Sequence, residues 1–238
     1  MKWFLFFLFA GLPAAPALAL GGALAREADD GARGAVMVLS GRGAACSGTV
    51  IARDLVLTAA HCVEGAREFA VAWRETGQPK LVRAAAVAKH PGARTGSAVS
   101  VDPAIVKTIE PLPARFRAAA LDNGFEAHAL GLSRIVTGYG MISTGNDVSA
   151  GRAREARIGV LGPLLPNFLR LGASSMQAFQ LCVGDSGGGV FSDGGTLVAV
   201  AAQRERLGGE GSCGPAAQAV RIAPRIEWIK GAMRRLSK

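Results

Sequence analysis

The segment Cys182-Val183-Gly184-Asp185-Ser186-Gly187-Gly188 sets one hydroxyl inside a glycine-rich turn. Glycines let backbone N–H groups approach a bound molecule closely, so Ser186 could act there as a nucleophile ringed by hydrogen-bond donors. A serine hydroxyl is a weak nucleophile and needs a base. Leu57-Thr58-Ala59-Ala60-His61-Cys62 supplies a histidine at the end of a β-prone run, beside a cysteine that could pin its loop. A buried strand end is the plainer reading of that segment. The choice of base is narrow, because the chain holds 3 histidines. His90 precedes Pro91, which favours an extended or turn position on a surface loop. His128 lies in an irregular stretch between two sets of strands. His61 is the candidate base.

The elements that must hold these residues are short. From Gly34 onward, β-prone runs alternate with Gly, Pro, Asn and Asp: Val36 to Leu39, Thr49 to Ile51, Leu55 to Thr58, Phe69 to Trp73, Leu81 to Val87 and Ile105 to Ile109. A second set covers Arg134 to Thr137, Ala153 to Val160, Gly188 to Phe191, Thr196 to Ala202 and Gln218 to Ile222. Such spacing argues for barrels or sandwiches, and no strands alternate with long helices as a parallel α/β sheet requires. Pro111 to Leu130, with its prolines and a DNG turn at Asp122 to Gly124, suits a crossover between two β halves. At the carboxyl end Pro224 can start a helix, and Ile226, Ile229, Met233 and Leu236 fall on one face of it. Lys230, Arg234 and Arg235 take the opposite face, where positive charge near the last turn suits the helix dipole.

Composition sets the surroundings. Lys2 followed by an apolar run from Trp3 to Leu12 and by small residues reads as a secretory signal peptide, with Ala17-Leu18-Ala19 as a cleavage site and Ala23-Leu24-Ala25 as a second possibility. The run is too short to span a bilayer comfortably. An exported chain of about 215 residues remains, enough for one sizeable all-β domain or two small packed ones. The formal net charge is +9; its basic residues are dispersed, and no nucleic-acid-binding signature accompanies them. Cys46, Cys62, Cys182 and Cys213 make an even count in a chain leaving the cytoplasm, which favours disulfides. Zinc is the alternative, but there is no C-x-x-C pair and Cys46, His61 and Cys62 lack a fourth ligand at finger spacing.

Taken together, the T-A-A-H-C around His61 and the G-D-S-G-G around Ser186, in that order and about 125 residues apart, resemble the trypsin/chymotrypsin-like serine protease family. Cys46-Ser47-Gly48-Thr49-Val50-Ile51 is similar to the family's C-x-G-x-L-I strand, Thr137-Gly138-Tyr139-Gly140 to its G-W-G turn, and Trp228-Ile229 fits its terminal helix. The family also carries an acid at the start of an apolar strand, and Val101-Asp102-Pro103-Ala104-Ile105-Val106 fits that place, with His90-Pro91 upstream. Asp122 and Asp147 compete in the same interval, but neither leads into an apolar strand. The resemblance implies an all-β fold of two packed six-stranded antiparallel Greek-key barrels with a C-terminal α-helix. Residues 1–19 would be the signal peptide, 20–125 the half with His61 and Asp102, and 126–238 the half with Ser186 and the helix. It implies disulfides Cys46–Cys62 and Cys182–Cys213. It also implies a secreted or periplasmic serine endopeptidase with Ser186 as nucleophile, His61 as general base, Asp102 orienting the histidine, and the N–H groups of Gly184 and Ser186 as oxyanion hole. Its substrate would be a polypeptide, with no cofactor, metal, nucleic acid or stable membrane anchor, and monomer is the default state.

Three departures qualify that expectation. The family's counterpart of Asp185 usually pairs with an apolar amino terminus, often I-V-G-G, released by proteolysis; no I-V-G-G occurs here, and counting back from the first strand reaches Leu20-Gly21-Gly22, which signal peptidase would expose if it cut after Ala19. The pocket position that carries aspartate in enzymes cleaving after Lys or Arg is Gln180, so that preference is unsupported. Ala202 and Arg204 stand where serine and glycine usually line the pocket, which points to a narrowed pocket or one for small, polar or acidic side chains. The missing activation sequence and altered pocket support one alternative, a non-catalytic binding protein on the same fold.

Overall fold

The computed structural model describes residues 20, 25–29, 31–94, 101–141, 150–173, 179–204 and 213–238. Among the described residues, fifteen strands and one α-helix follow in order: β1 (Ala25–Glu27), β2 (Ala35–Ser40), β3 (Ala45–Ala52), β4 (Leu55–Ala59), β5 (Phe69–Glu75), β6 (Gln78–Lys89), β7 (Pro103–Thr108), β8 (Ser133–Gly138), β9 (Arg154–Leu165), β10 (Phe168–Gly172), β11 (Leu181–Cys182), β12 (Gly189–Phe191), β13 (Leu197–Arg204), β14 (Cys213–Gly214), β15 (Ala216–Arg221) and α1 (Ile226–Leu236). They form two closed six-stranded antiparallel barrels. The first runs β2-β3-β4-β7-β6-β5 and the second β8-β9-β10-β15-β13-β12, so both have the same local strand order. The first strand, β1, adds to the outside of the second barrel against β9, with Arg26 opposite Glu155.

Alternation along the strands decides which core each residue joins. In β4, Val56 points into the first barrel with Val36, Val38, Val50, Val71 and Val106. Its neighbours Leu55 and Leu57 point out of it, into a separate layer with Ile105, Ile135, Phe191, Leu197, Ile222 and Ile229. Both faces of β4 are buried because the second barrel and α1 cover the outside of the first. A half-exposed strand would alternate apolar with polar; β4 reads Leu-Val-Leu-Thr-Ala, and all five are buried. Ile229 and Ala232 carry α1 onto this layer, while Lys230, Arg234 and Arg235 lie on its outer side. Leu20, far from the other strands in sequence, is fully buried in the second barrel's core with Val136, Ala156 and Leu181. Among the described residues no helix is long and apolar enough to cross a membrane.

Candidate active site

Antiparallel pairing of β4 with β7 puts Ala59, the last residue of one, opposite Pro103, the first of the other. The residues just beyond these ends therefore meet. Chain leaving β4 enters a 3-10 turn, Ala60–Val63, whose Ala60 N–H donates to the Asp102 carbonyl at 2.6 Å. The next residue is His61. Its backbone N–H donates to Asp102 Oδ1 at 3.0 Å and its Nδ1 lies 2.5 Å from Asp102 Oδ2. Both carboxylate oxygens are thus spent on one residue, and the imidazole is held with Nδ1 inward. Asp102 is 9% exposed, whereas about a third of the His61 side chain (32%) remains open. The disulfide Cys46–Cys62 ties this turn to β3.

The serine turn lies against the same strands. The Ser186 carbonyl accepts the N–H of Ser47 at 2.8 Å, and the Gly184 carbonyl accepts the Ser47 hydroxyl at 2.8 Å. Within 184–188 three N–H groups are committed: Asp185 to Cys182, Gly187 to Ala201 and Gly188 to Asp185. Among the described residues, those of Gly184 and Ser186 donate to no acceptor. Ser186 Oγ donates to the carbonyl of Ala202 at 3.4 Å, with no hydrogen bond to His61. Ala202 is the extra residue of a β-bulge: Ala201 faces Ala219 and Gln203 faces Gln218 across β15, leaving Ala202 unpaired. A bulge re-aims backbone groups in this way, and here the carbonyl of the bulged residue is the one that accepts the serine hydroxyl.

Asp185, beside the serine, is wholly buried. Its Oδ1 accepts the Gly140 N–H at 2.8 Å and its Oδ2 the Cys182 N–H at 2.9 Å. Burial pushes its carboxyl up to about 7, against the pull of those two N–H groups and of the Arg154 charge. The ribbon of β11 and β14, closed by Cys182–Cys213, fixes the approach to this turn.

The remaining sequence-predicted residues scatter differently. Gln180 is partly exposed just before β11, and Arg204 ends β13 opposite Ala217. The segment that would complete the pocket, 205–212, and Asp147 lie outside the described residues, as does the proposed signal peptide 1–19. A cavity of about 270 Å³ opens beside the histidine, lined by Ala60, Glu64, Lys89, His90, Pro91, Ala93 and Asp102. His90 packs edge-on against Trp228 at 4.9 Å and accepts the Gly92 N–H. The nearly buried His128 faces Asp122 at 3.5 Å. Burial lowers both of their pKa values; for His90 Arg225 adds to the effect, and for His128 Arg221 and Arg134 outweigh Asp122. Cys46, His61 and Cys62 offer atoms within 4.8 Å of one another, but both sulfurs are bound in the disulfide, so neither is a thiolate donor. Sequence reading passed over Ser47, Thr58 and the Ala202 bulge. Ser47 stands next to Cys46 and could have been noticed there; the bulge leaves no mark in the residues.

The family model described as Trypsin matches residues 24–229. The chain belongs to the trypsin family. No curated protein sequence matches it, but solved structures of this fold do. Neuropsin, a serine protease expressed in the limbic system of mouse brain, superposes with a TM-score of 0.71 at 19% identity, covering 88% of this chain and 98% of its own. Human heparin binding protein gives a TM-score of 0.74 at 17% identity, with 88% and 96% covered. A scabies mite inactivated protease paralogue gives 0.74 at 18% identity, with 89% and 97% covered. At such identities the likeness is one of fold. Trypsin-family proteins are typically serine proteases, yet the scabies mite neighbour is an inactivated protease paralogue.

Proposed function

We propose that this trypsin-family chain is an exported serine endopeptidase, acting in the periplasm or outside the cell. The observation that carries the reading is the Asp102 carboxylate on His61 Nδ1, together with a serine turn docked on β3 through Ser47 whose Gly184 and Ser186 N–H groups are uncommitted among the described residues. The roles are those established for a Ser-His-Asp triad. Ser186 swings Oγ from the Ala202 carbonyl toward His61 and attacks a peptide carbonyl while His61 takes the proton. An acyl-enzyme forms, His61 returns the proton to the leaving amine, and water then releases the acyl group by the same steps. Asp102 holds the imidazole tautomer and stabilises its charged form. The two free N–H groups hold the developing oxyanion, a contribution of about 3 kcal/mol for each such donor. Gln180, Ala202 and Arg204 argue for specificity other than cleavage after Lys or Arg.

Cleavage by signal peptidase after Ala19 is part of the same reading. Leu20 would become the first residue, already seated in the second barrel's core, and no separate propeptide protease is needed.

A second reading, a non-catalytic binding protein, draws on the Ser186 hydroxyl resting on the Ala202 carbonyl. One experiment separates the two. Exported protein, checked by intact mass to begin at Leu20, is treated with a fluorophosphonate beside Ser186→Ala. Covalent labelling and casein hydrolysis in the unchanged protein, both lost in the variant, are expected. Folded protein that neither labels nor hydrolyses favours the binding reading.

A further inference from the structure

We infer that Ser47 is a positioning residue for the oxyanion-binding N–H groups, an assignment that rests on the peptidase reading above. Ser47 is buried, 1% exposed, on β3. All four of its polar groups are committed. Its N–H holds the Ser186 carbonyl and its hydroxyl holds the Gly184 carbonyl, both at 2.8 Å. The same hydroxyl oxygen accepts the Tyr139 N–H at 2.9 Å, and the Ser47 carbonyl accepts the Thr58 hydroxyl at 2.7 Å. One residue therefore grips the serine turn at two carbonyls, on either side of Asp185.

The reason this matters is the planarity of the peptide unit, which leaves only φ and ψ to set the direction of each N–H. The direction of the Gly184 N–H follows the Val183-Gly184 plane, whose carbonyl accepts the Met141 N–H at 3.1 Å. The Ser186 N–H follows the Asp185-Ser186 plane, whose carbonyl accepts the Gly188 N–H at 3.0 Å. Between these planes lies the Gly184-Asp185 unit, and its orientation decides the angle at which the two donors converge. Gly184 sits at φ 98°, a region that glycine enters freely and leaves as freely. Backbone preference does not hold this unit; two hydrogen bonds do. One is the Asp185 N–H to the Cys182 carbonyl at 3.1 Å. The other, shorter, is the Ser47 hydroxyl on the Gly184 carbonyl. Cys46–Cys62 anchors the adjacent residue to the His61 turn, so the clamp also ties the donors' geometry to the base.

The test compares the wild-type mature protein with Ser47→Ala and Ser47→Thr, using a peptide p-nitroanilide with Ala at the cleaved position and the boronic acid of the same peptide, which forms a tetrahedral adduct. Active sites are counted by fluorophosphonate titration, so that any unfolded fraction drops out. Loss of the hydroxyl is expected to lower kcat by ~10- to 100-fold, less than the roughly 100- to 1,000-fold that follows outright removal of an oxyanion donor, because here the donors are re-aimed and not removed. KM stays within about twofold, since ground-state contacts are untouched. Boronate affinity falls in parallel with kcat/KM, because both report transition-state complementarity. Ser47→Thr, which keeps a hydroxyl, recovers most of kcat; should it not fold, the parallel loss in Ser47→Ala is the deciding measurement. A titrated Ser47→Ala protein with unchanged kcat, or with weakened KM and unchanged boronate affinity, overturns the Ser47 assignment alone. Wild-type protein that neither labels nor turns over overturns the peptidase reading, and the assignment with it.

Discussion

At the scale of single residues, Gly187 shows how tightly the serine turn is wedged between strands. Its φ is 85°, and a Cβ there would stand 2.1 Å from the Ser47 carbonyl oxygen and 2.2 Å from Thr58 Oγ1. Both obstacles belong to buried groups already bound to each other, so neither can yield cheaply. Gly187→Ala is expected to cost roughly 2–3 kcal/mol of stability, combining left-handed strain with overpacking. Urea denaturation followed by fluorescence measures it; a midpoint within error of wild type would contradict the packing argument. The need for glycine at 187 was legible as a glycine-rich turn, and Thr58 stands inside the T-A-A-H-C segment. That these two segments touch is a fact of register: Thr49 faces Leu57 across β3 and β4, and the serine turn then docks on that pair of strands.

At the scale of elements, the strongest constraint on the histidine is the 3-10 turn that holds it, Ala60–Val63, bounded by β4, β7 and a disulfide. Removing the cross-link with Cys46→Ala and Cys62→Ala together frees a loop whose ends are 16 residues apart. On the chain-entropy account that costs on the order of 3 kcal/mol. Because Ser47 and His61 are the immediate neighbours of the bridged residues, turnover should fall as well. Equilibrium unfolding and casein hydrolysis on the doubly substituted protein check both; retained stability with retained turnover would show the bridge to be idle. Most strands were legible from runs of β-branched residues between turn formers. β1, β10, β11 and β14 were not: β1, β11 and β14 are two or three residues long, and β10 (Phe168–Gly172) holds Arg170 and Gly172 in its run. Such strands owe their place to partners: β1 exists because β9 offers it an edge.

At the scale of the whole molecule, two histidines sit at the seams. His90 joins the first barrel to α1 through Trp228, and His128 lies in the connection between barrels, against Asp122. Burial, the first cause for each, lowers their folded pKa below the ordinary value of 6.5. The unfolded chain therefore binds more protons than the folded one from about pH 6.5 down to the lowered folded values. The histidine contribution to stability then rises with pH through that window and is lost on acidification. The buried Asp185 carboxyl, pushed up to about 7, works in the opposite direction, because the folded chain holds its proton where the unfolded chain has released it. The histidine share is therefore read as a difference: from pH 7 to pH 5 the wild-type thermal melt is expected to lose more, or gain less, than the melts of His128→Asn and His90→Asn, and an equal change in all three would overturn it. The sequence alone determined the fold class, because turn residues at short intervals and the absence of helix-alternating strands leave a β architecture, and because local motifs keep their spacing whatever surrounds them. It also named Ser186 and His61 as candidate site residues, since a glycine-rich turn and a histidine at a strand end are local signals, and the family resemblance added Asp102. Only the tertiary structure decided that two halves with no visible sequence repeat share one strand order, that Leu20 and β1 belong to the second barrel although they precede the first, and that a bulge turns Ala202 toward Ser186. Those outcomes depend on which edges and faces remain open once the rest has packed, and no local run of residues encodes that.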